Sequence, residues 1–291
     1  GLTSEDNDGV TRSDISLNFT VIVTDDYINT VELNGTSMIR DGDIWYTSNS
    51  TSELGCNDDG NCSLTAISTD FAGNTNETSY KIIVDNINPT VSDSKVNDTD
   101  LIIRKEDSIN INVSIFDVNI DKVNVSNINS LPMERIGDYI WEIDTNANTL
   151  GCIQNDDNCT LIFTAIDLAE NVNDTTTMDL VIDDDHPNIH TLSSNDLDNI
   201  ARYDSMLNFT VNATDTNGLN VSLNDSPMAL SEDGDTWSLE ANTNLFGCDQ
   251  DGPCVLTATA TDVAGNTNTT DYTIIVDNIA PKIHNLKSDD V

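Results

Sequence analysis

The sequence predicts an all-β protein made of three tandem β-sandwich domains in an elongated array. Trp45, Trp141 and Trp237 recur at a constant interval of 96 residues, as do the first cysteines of three cysteine pairs. A fixed period of this length indicates one domain copied in tandem, and it matches the size of a β-sandwich, about 100 residues. No segment has the 3.6-residue hydrophobic period of a helix, so we expect helix to be nearly absent.

Each copy opens with a segment in which apolar and polar residues alternate. A period of two with β-branched and aromatic residues at the apolar positions is typical of a half-buried strand. These opening segments are residues 17–23, 109–115 and 207–213. A second apolar run follows in each copy, at residues 31–33, 123–125 and 219–223.

The tryptophan of each copy comes next, after a Gly-Asp turn such as Gly42-Asp43 before Trp45. A tryptophan can bind sugar or stack on a base, but its recurrence after a turn favours packing between two sheets. We therefore interpret the three tryptophans as core residues.

The cysteine loops have the spacing C-x5-C twice and C-x6-C once. This is not a zinc spacing, no histidine is nearby, and redox pairs normally have C-x2-C. We predict a disulfide in each loop, worth about 2 kcal/mol, and hence an oxidising, extracellular location. Solvation explains the acidic residues inside the loops better than calcium binding does. The pairs are Cys56–Cys62, Cys152–Cys159 and Cys248–Cys254.

Each copy ends with a strand, an Asp-x-Ala-Gly/Glu-Asn turn, a last strand and a linker that closes on a proline. The predicted units are residues 1–86, 87–184 and 185–278, with a tail at 279–291. Copy one lacks the strand that follows the linker proline in the other copies, whereas the tail resembles that strand. Either the tail completes the first domain of another copy by β-strand addition, giving a head-to-tail filament, or it begins a further domain of a longer tandem protein.

The charge balance is strongly acidic, with 11 Lys and Arg against 51 Asp and Glu and a net charge of −40. Such a surface repels nucleic acid and anionic lipid and attracts cations. No apolar run approaches the roughly 18 residues of a membrane span, so we expect no direct membrane insertion of this segment. We expect no enzyme and no catalytic residue, because one generic unit recurs three times and the three histidines, His186, His190 and His284, only flank linkers.

Asn-x-Ser/Thr acceptors for N-linked glycans are frequent. Within the opening strands they fall on the outward face, which is compatible with glycosylation. The candidate sites are Asn18, Asn34, Asn49, Asn61, Asn76, Asn97, Asn112, Asn124, Asn158, Asn173, Asn208, Asn212, Asn220, Asn224 and Asn268.

Three acidic elements recur and suggest calcium, which takes six to eight oxygen ligands. They are the end of the first strand, the Asp-x-Ala-Gly/Glu-Asn turn and the linker Asp, which in a sandwich can meet where consecutive domains join. Otherwise these Asp and Asn residues only shape turns. The candidate ligands are Asp25, Asp26, Asp70, Asn74, Asp85, Asp117, Asn119, Asp167, Asn171, Asp183, Asp184, Asp185, Asp215, Asn217, Asp262, Asn266 and Asp277.

Asp-x-Ala-Gly-Asn followed by Val-Asp-Asn-x-x-Pro resembles the bacterial and archaeal immunoglobulin-like repeats of large cell-surface adhesin, filament or S-layer proteins, and the linker is similar to cadherin linkers. The resemblance covers nearly all of the chain and implies immunoglobulin-like domains with calcium at their junctions. It extends a ligand role to Asp70, Asp85, Asp167, Asp183, Asp262 and Asp277. Copy two departs from the pattern with Glu170 at the glycine position, which leaves its turn geometry open, and with Asp183-Asp184-Asp185, which offers further ligands.

The favoured function is a structural subunit or segment of an extracellular, N-glycosylated cell-surface filament or adhesive stalk, stiffened by calcium. Its partners would be copies of itself, joined head-to-tail through residues 281–291. The alternative is an archaeal S-layer lattice protein whose acidic surface concentrates cations.

Overall fold

The computed structural model describes residues 1–155 and 157–287. It confirms the predicted all-β fold of tandem sandwiches. Compactness divides the chain into two units. One comprises residues 1–97, 109–145 and 160–178, and the other comprises the described residues of 98–108, 146–159 and 179–291.

The first repeat precedes the linker proline Pro89 and forms two sheets. Their strand orders are β1-β3-β7-β6 and β2-β9-β8-β4-β5, with β2 parallel to β9. The strands are β1 Thr3–Ser4, β2 Val10–Thr11, β3 Ser16–Ile22, β4 Ile28–Leu33, β5 Thr36–Ser37, β6 Ile39–Asp41, β7 Ile44–Ser50, β8 Gly60–Asp70 and β9 Thr75–Val84.

The second repeat has the same arrangement, with orders β10-β12-β16-β15 and β11-β18-β17-β13-β14. Its elements are β10 Thr90–Val96, β11 Ile102–Ile103, β12 Ile109–Phe116, β13 Ile120–Ser126, β14 Ser130–Pro132, β15 Glu134–Arg135, β16 Ile140–Thr145, α1 Ala147–Leu150, β17 Asp157–Asp167 and β18 Val172–Ile182.

The third repeat shows the pattern again, with orders β19-β21-β25-β24 and β20-β27-β26-β22-β23. Its elements are β19 Asn188–Ser194, β20 Ile200–Ala201, β21 Met206–Thr214, β22 Leu219–Leu223, β23 Ser226–Pro227, β24 Ala229–Leu230, β25 Thr236–Asn242, a 3-10 helix Thr243–Phe246, β26 Gly252–Asp262 and β27 Thr267–Val276.

Each core draws alternate residues from both sheets. In the first repeat Phe19 of β3 meets Leu33 and Leu64 of the opposite sheet, all fully buried. Each such side chain contributes about 2 kcal/mol of transfer free energy. Trp45 and Trp237 belong to the cores of their repeats, as predicted, whereas Trp141 is only half-buried.

The strand predicted to be missing from the first repeat is present in part. β1 pairs Thr3 with Thr20 and Ser4 with Phe19, which is the register of the last two residues of β19. The first half of the β19 equivalent, opposite Val23 and Thr24, has no strand among the described residues. β1 therefore supplies the last part of the opening strand in the first repeat. Of the predicted tail, residues 288–291 lie outside the described residues.

The short helix α1 was not predicted, because its signals are local caps and not a hydrophobic period. Asn146 accepts a hydrogen bond from the Thr149 backbone N–H at 2.7 Å, and Gly151 adopts the left-handed conformation after the last turn. These are the usual N-cap and C-cap devices of a helix.

Candidate functional site

Three carboxylates from separate elements of the first compact unit meet at the first linker. Asp85 follows β9, Asp117 follows β12, and Asp167 is the last residue of β17. One oxygen of each lies within 4.8 Å of the other two. Asp167 is 1% exposed and Asp85 9%, so like charges share a space with little water. We call this cluster the first acidic site.

The second compact unit repeats the arrangement at the second linker. Asp183 follows β18, Asp215 follows β21, and Asp262 ends β26, again with one oxygen of each within 4.8 Å of the others. Asp183 and Asp262 are buried. This cluster is the second acidic site, and its match to the first means that the linker and the following repeat form it systematically.

Asparagine amides fasten each linker to the turn of the following repeat. In the first site Asn171 donates to the backbone carbonyl of Asp85 at 2.9 Å and to the Asp167 carboxylate at 2.8 Å, and Asn119 donates to the Asp85 carboxylate at 3.1 Å.

The second site has the same hydrogen bonds. Asn266 donates to the Asp183 carbonyl and the Asp262 carboxylate, and Asn217 donates to the Asp183 carboxylate. Both sites thus combine a buried hydrogen bond to the linker carbonyl with charge-assisted hydrogen bonds to carboxylates.

Burial changes the acidity of these carboxyls. Burial raises the pKa of Asp117, with a further rise from the charges of Asp85 and Asp167. Burial likewise raises the pKa of Asp183, with a further rise from Asp262 and Asp215. Neighbouring carboxylates thus disfavour the charged forms of Asp117 and Asp183, and a bound cation would offset this repulsion.

The first repeat has the same turn without the third carboxylate. Asp70 and Asn74 form the turn and Asp25 follows β3, but no group of three acidic side chains forms there among residues 1–155 and 157–287. Asp25, its neighbour Asp26 and Asn74 are exposed. Hydrogen bonds from Asn74 lower the pKa of Asp70.

The remaining candidate ligands lie outside the clusters. Asp184 accepts a hydrogen bond from the Lys105 backbone N–H and pairs with its ammonium at 2.9 Å. The side chains of Asp185 and Asp277 are exposed. The triple Asp of the second linker therefore supplies one cluster member, Asp183.

The three predicted disulfides are present, with Cα separations of 5.5 to 5.9 Å. The cysteine loops also have a role that the sequence did not indicate. Each loop binds the second residue of the linker that follows the same repeat. Asp59 accepts from the Asn86 backbone N–H at 2.7 Å, and Asp251 accepts from Asn278 at 2.5 Å. In the second repeat Asn155 accepts from the backbone N–H of Asp184. Each linker thus begins fixed to the preceding repeat.

Each repeat also contains a pair of neighbouring aspartates that the sequence analysis did not single out. Burial and the neighbouring carboxyls of Asp8, Asp100 and Asp198 raise the pKa values of Asp6, Asp98 and Asp196, respectively. The Asp-x-Asp spacing, repeated in all three copies, was the available signal.

The candidate glycan acceptors are distributed over all three repeats, and none is buried. Three of them have side-chain amides that donate to backbone carbonyls, from Asn34 to Leu54, Asn173 to Pro89 and Asn268 to Pro187. The exposed acceptors are Asn18, Asn34, Asn61, Asn76, Asn97, Asn158, Asn208, Asn220 and Asn268. The half-buried ones are Asn49, Asn112, Asn124, Asn173, Asn212 and Asn224.

Comparison with known proteins finds structural neighbours only. No protein-family model matches the chain, and no curated protein matches it. Structural neighbours include repeat domains of bacterial adhesins. A 1.5-MDa bacterial ice-binding adhesin has 16% identity and a TM-score of 0.42 over 95% of this chain and 97% of that one. A Ca²⁺-stabilized adhesin with which an Antarctic bacterium binds ice has 20% identity and a TM-score of 0.48, covering 95% and 73%.

A tetra-tandem repeat from the extending region of a large adhesion protein has 17% identity and a TM-score of 0.31, over 95% and 73% of the two chains. At these identities and scores the likeness carries no functional argument, and the sandwich assignment rests on the sheets themselves. Among the described residues, no helix combines the length and apolar character that crossing a membrane requires.

Proposed function

We propose that the chain is a structural segment of an extracellular cell-surface stalk or filament whose linkers are stiffened by calcium. The observation that carries the proposal is the pair of acidic sites, each joining a linker carboxylate to two carboxylates of the following repeat within 4.8 Å. The three disulfides support an extracellular location.

The donor set fits a hard cation. Each acidic site offers carboxylate oxygens with neighbouring asparagine side chains, and no histidine or cysteine belongs to either cluster. Oxygen ligands of this kind suit Ca²⁺ or Mg²⁺ and not zinc or copper, and flexible coordination favours Ca²⁺. When bound, the ion would replace repulsion among three carboxylates with coordination.

Stiffening follows from the position of the linker residues. Asp85 contributes to the first acidic site, while the adjacent Asn86 donates to Asp59 of the first-repeat cysteine loop at 2.7 Å. A cation that holds Asp85 would leave the linker few free torsions, because both of these neighbouring residues would be fixed. Asp183 and Asp184 have the same relation in the second compact unit.

The test is thermal unfolding and small-angle X-ray scattering in calcium and in chelator. We expect calcium to raise the melting temperature and to increase the stiffness of the wild-type chain. The double variant Asp117→Asn/Asp215→Asn keeps the shape of both sites but removes one charge from each, so its response should be much smaller. Asp58→Asn/Asp138→Asn, at exposed positions, is the control with the same change in charge.

A wild-type chain with identical melting and scattering in calcium and chelator would overturn the proposal. Electron micrographs distinguish the two forms of the assembly, because fibres support a filament or stalk, whereas two-dimensional sheets would support the S-layer lattice.

We also propose that the surface carries N-linked glycans. Asn208, at an exposed position of the third repeat, is a strong candidate, whereas the amide of Asn18, at the equivalent position of the first repeat, donates to the Glu5 carboxylate at 2.8 Å. Asn34, Asn173 and Asn268 should be modified least, because their amides already donate to backbone carbonyls. Glycopeptide mass spectrometry of the native protein tests this, and full occupancy of these three residues would contradict it.

A further inference from the structure

One peptide group of the first linker is held by both of its polar atoms. The peptide between Asp85 and Asn86 donates its N–H to the Asp59 carboxylate of the first-repeat cysteine loop at 2.7 Å. Its carbonyl accepts from the side-chain amide of Asn171, in the turn of the second repeat, at 2.9 Å. Because a peptide group is planar, its N–H and its carbonyl turn together. The contact with Asp59 therefore fixes the direction in which the carbonyl faces Asn171.

The second linker has the same arrangement. The peptide between Asp183 and Asp184 donates its N–H to the side chain of Asn155 at 2.6 Å. Its carbonyl accepts from the Asn266 amide at 2.9 Å. The loop acceptor is thus a carboxylate in the first repeat and an amide oxygen in the second. What the two loops share is an oxygen acceptor and not a negative charge.

The second residue of each linker has a further contact with the preceding repeat. The side-chain oxygen of Asn86 accepts from the Ser13 backbone N–H at 2.8 Å. In the second linker Asp184 accepts from the Lys105 backbone N–H at 3.1 Å. The preceding repeat therefore fixes this residue through both its backbone and its side chain.

The disulfide restricts the loop that carries the acceptor. Residues 57–59 are exposed and form no strand. Cys62 lies in β8 and pairs with Ile82 of β9, the strand that leads into the linker, and the disulfide ties Cys56 to that point. Closing a short loop in this way removes many of its conformations. Asp59 is therefore presented to the linker at a smaller cost in entropy.

The first acidic site depends on the orientation of the same linker peptide. Asp85, Asp117 and Asp167 each bring one oxygen within 4.8 Å of the other two, and the Asp85 side chain adjoins the held peptide. If Asn86 were free, the site would have to order the linker backbone when it binds the ion. Ordering the backbone of about one residue corresponds to roughly a 10-fold lower affinity.

We propose that the cysteine loops of the first and second repeats position the linkers for the acidic sites of the repeats that follow, and so raise the calcium affinity of those sites. Asp59 and Asn155 are the positioning residues, and the disulfides act through them. The inference rests on the proposed function, because it requires that the acidic sites bind calcium.

The test is calorimetric titration of the 291-residue chain with calcium. The chain carries Asp215→Asn, which weakens the second acidic site and leaves the first intact. Asp59→Ala should lower the affinity of the first site about 10-fold. Asp59→Asn removes the same charge but keeps an oxygen acceptor, as Asn155 does in the second repeat, so it should retain most of the affinity. Equal losses in the two variants would assign the effect to charge and overturn the proposal.

The two disulfides serve as controls for each other. Cys56→Ser/Cys62→Ser should weaken the first acidic site but not the second, which is measured in a chain carrying Asp117→Asn. Cys152→Ser/Cys159→Ser should weaken the second site but not the first. Weakening of both sites by either pair would indicate a general loss of stability and contradict the proposal.

Loss of a disulfide can also unfold a small domain, so tryptophan fluorescence checks the fold at the temperature of the titration. Asp59→Ala changes a single exposed residue and does not depend on that check.

Amide exchange in chelator follows the linker without any metal. The Asn86 N–H, observed by NMR, should exchange faster in Asp59→Ala than in the wild-type chain or in Asp59→Asn, because its acceptor is lost. If the wild-type chain binds calcium and Asp59→Ala leaves the affinity unchanged, only the inference is overturned, whatever the exchange rate. A wild-type chain that binds calcium at neither acidic site overturns the proposed function and the inference with it.

Discussion

The turn at Asp70–Asn74 and the turn at Asp262–Asn266 share local structure but differ in environment. In both, the asparagine backbone N–H donates to the aspartate at 2.8 Å, and its side-chain amide donates to the other carboxylate oxygen. Yet Asn74 is exposed, whereas Asn266 is 4% exposed and also donates to the Asp183 carbonyl. The local sequence forms the turn, and the linker supplies the burial.

This difference separates formation of the Asp-x-Ala-Gly-Asn turn from docking of the linker on that turn. A turn that forms without the linker is preorganised, so docking a linker costs little further backbone entropy. The carboxylates meet only when the linker is in place, and burial then raises the pKa of Asp183. The exposed first-repeat turn therefore serves as an internal reference for the buried ones.

The largest expected effect comes from removing the asparagine amide. Asn266→Ala should cost about 3 kcal/mol in chelator, because a charge-assisted hydrogen bond is lost and the buried Asp183 carbonyl loses a donor, whereas Asn74→Ala should cost about 1 kcal/mol. Urea unfolding followed by Trp237 or Trp45, with the other tryptophans replaced by phenylalanine, measures each repeat. Equal losses would show that linker docking adds nothing to stability.

The cysteine loops provide a control for the comparison of the two turns. The stability that each disulfide contributes should not depend on whether a linker carboxylate is docked on the repeat. Replacing Cys56 and Cys62 by serine should cost the first repeat about 2 kcal/mol, and replacing Cys248 and Cys254 should cost the third repeat the same, since both loops have the same length. The same single-tryptophan unfolding measures both. A loss confined to one repeat would show that the contribution of the disulfide depends on more than the length of its loop.

A smaller effect, of opposite sign in the two repeats, is expected from pH. The lowered pKa of Asp70 means that its contribution is present above the unfolded pKa of about 3.9 and is lost as pH falls through the folded value. The raised pKa of Asp183 means that its contribution is present below the unfolded pKa and is lost as pH rises through the folded value.

Melting in chelator between pH 3 and about 7 tests this, with Trp45 and Trp237 as probes. The raised pKa values of Asp6 and Asp196 change the pH profiles of the first and third repeats in the same direction. The profile of each wild-type repeat is therefore compared with that of Asp70→Asn or Asp183→Asn. Each substitution should remove the pH dependence assigned to its residue. If Asp183→Asn leaves the third-repeat profile unchanged, the buried carboxylate is not its source.

Much of this fold follows from local patterns. The 96-residue period, the alternation in β3, β12 and β21, and the cysteine spacing predicted the repeats, strands and disulfides. The recurrence of acidic elements also identified the six clustered aspartates, though among a larger set of candidates. Repetition allowed these features to be predicted, because a residue that the fold requires recurs at the equivalent position of each copy.

Features that depend on tertiary contact could not be obtained in this way. The hydrogen bond from Asn86 to Asp59 spans 27 residues, and nothing in the loop sequence distinguishes an acceptor for a linker amide from a solvated acid. The burial of Asn266 likewise depends on where the second linker lies. Local propensity forms the turns, but packing decides which of them are buried.

The smallest expected effect concerns the one turn that departs from the glycine pattern. Glu170 has a φ of 63°, in the left-handed region that Gly73 and Gly265 occupy in the other repeats, so the turn is conserved at the cost of backbone strain. Glu170→Gly should stabilise the second repeat by about 0.5–1 kcal/mol, because relief of strain is partly offset by the greater entropy of unfolded glycine.

Unfolding followed by Trp141 measures the change, and Glu170→Gln, which removes the charge but retains the side chain, is the control. If Glu170→Gln stabilises as much as Glu170→Gly, the relief comes from the charge beside the first acidic site and not from the backbone. That result would show that the charge of Glu170, and not the geometry of its backbone, limits the stability of this turn.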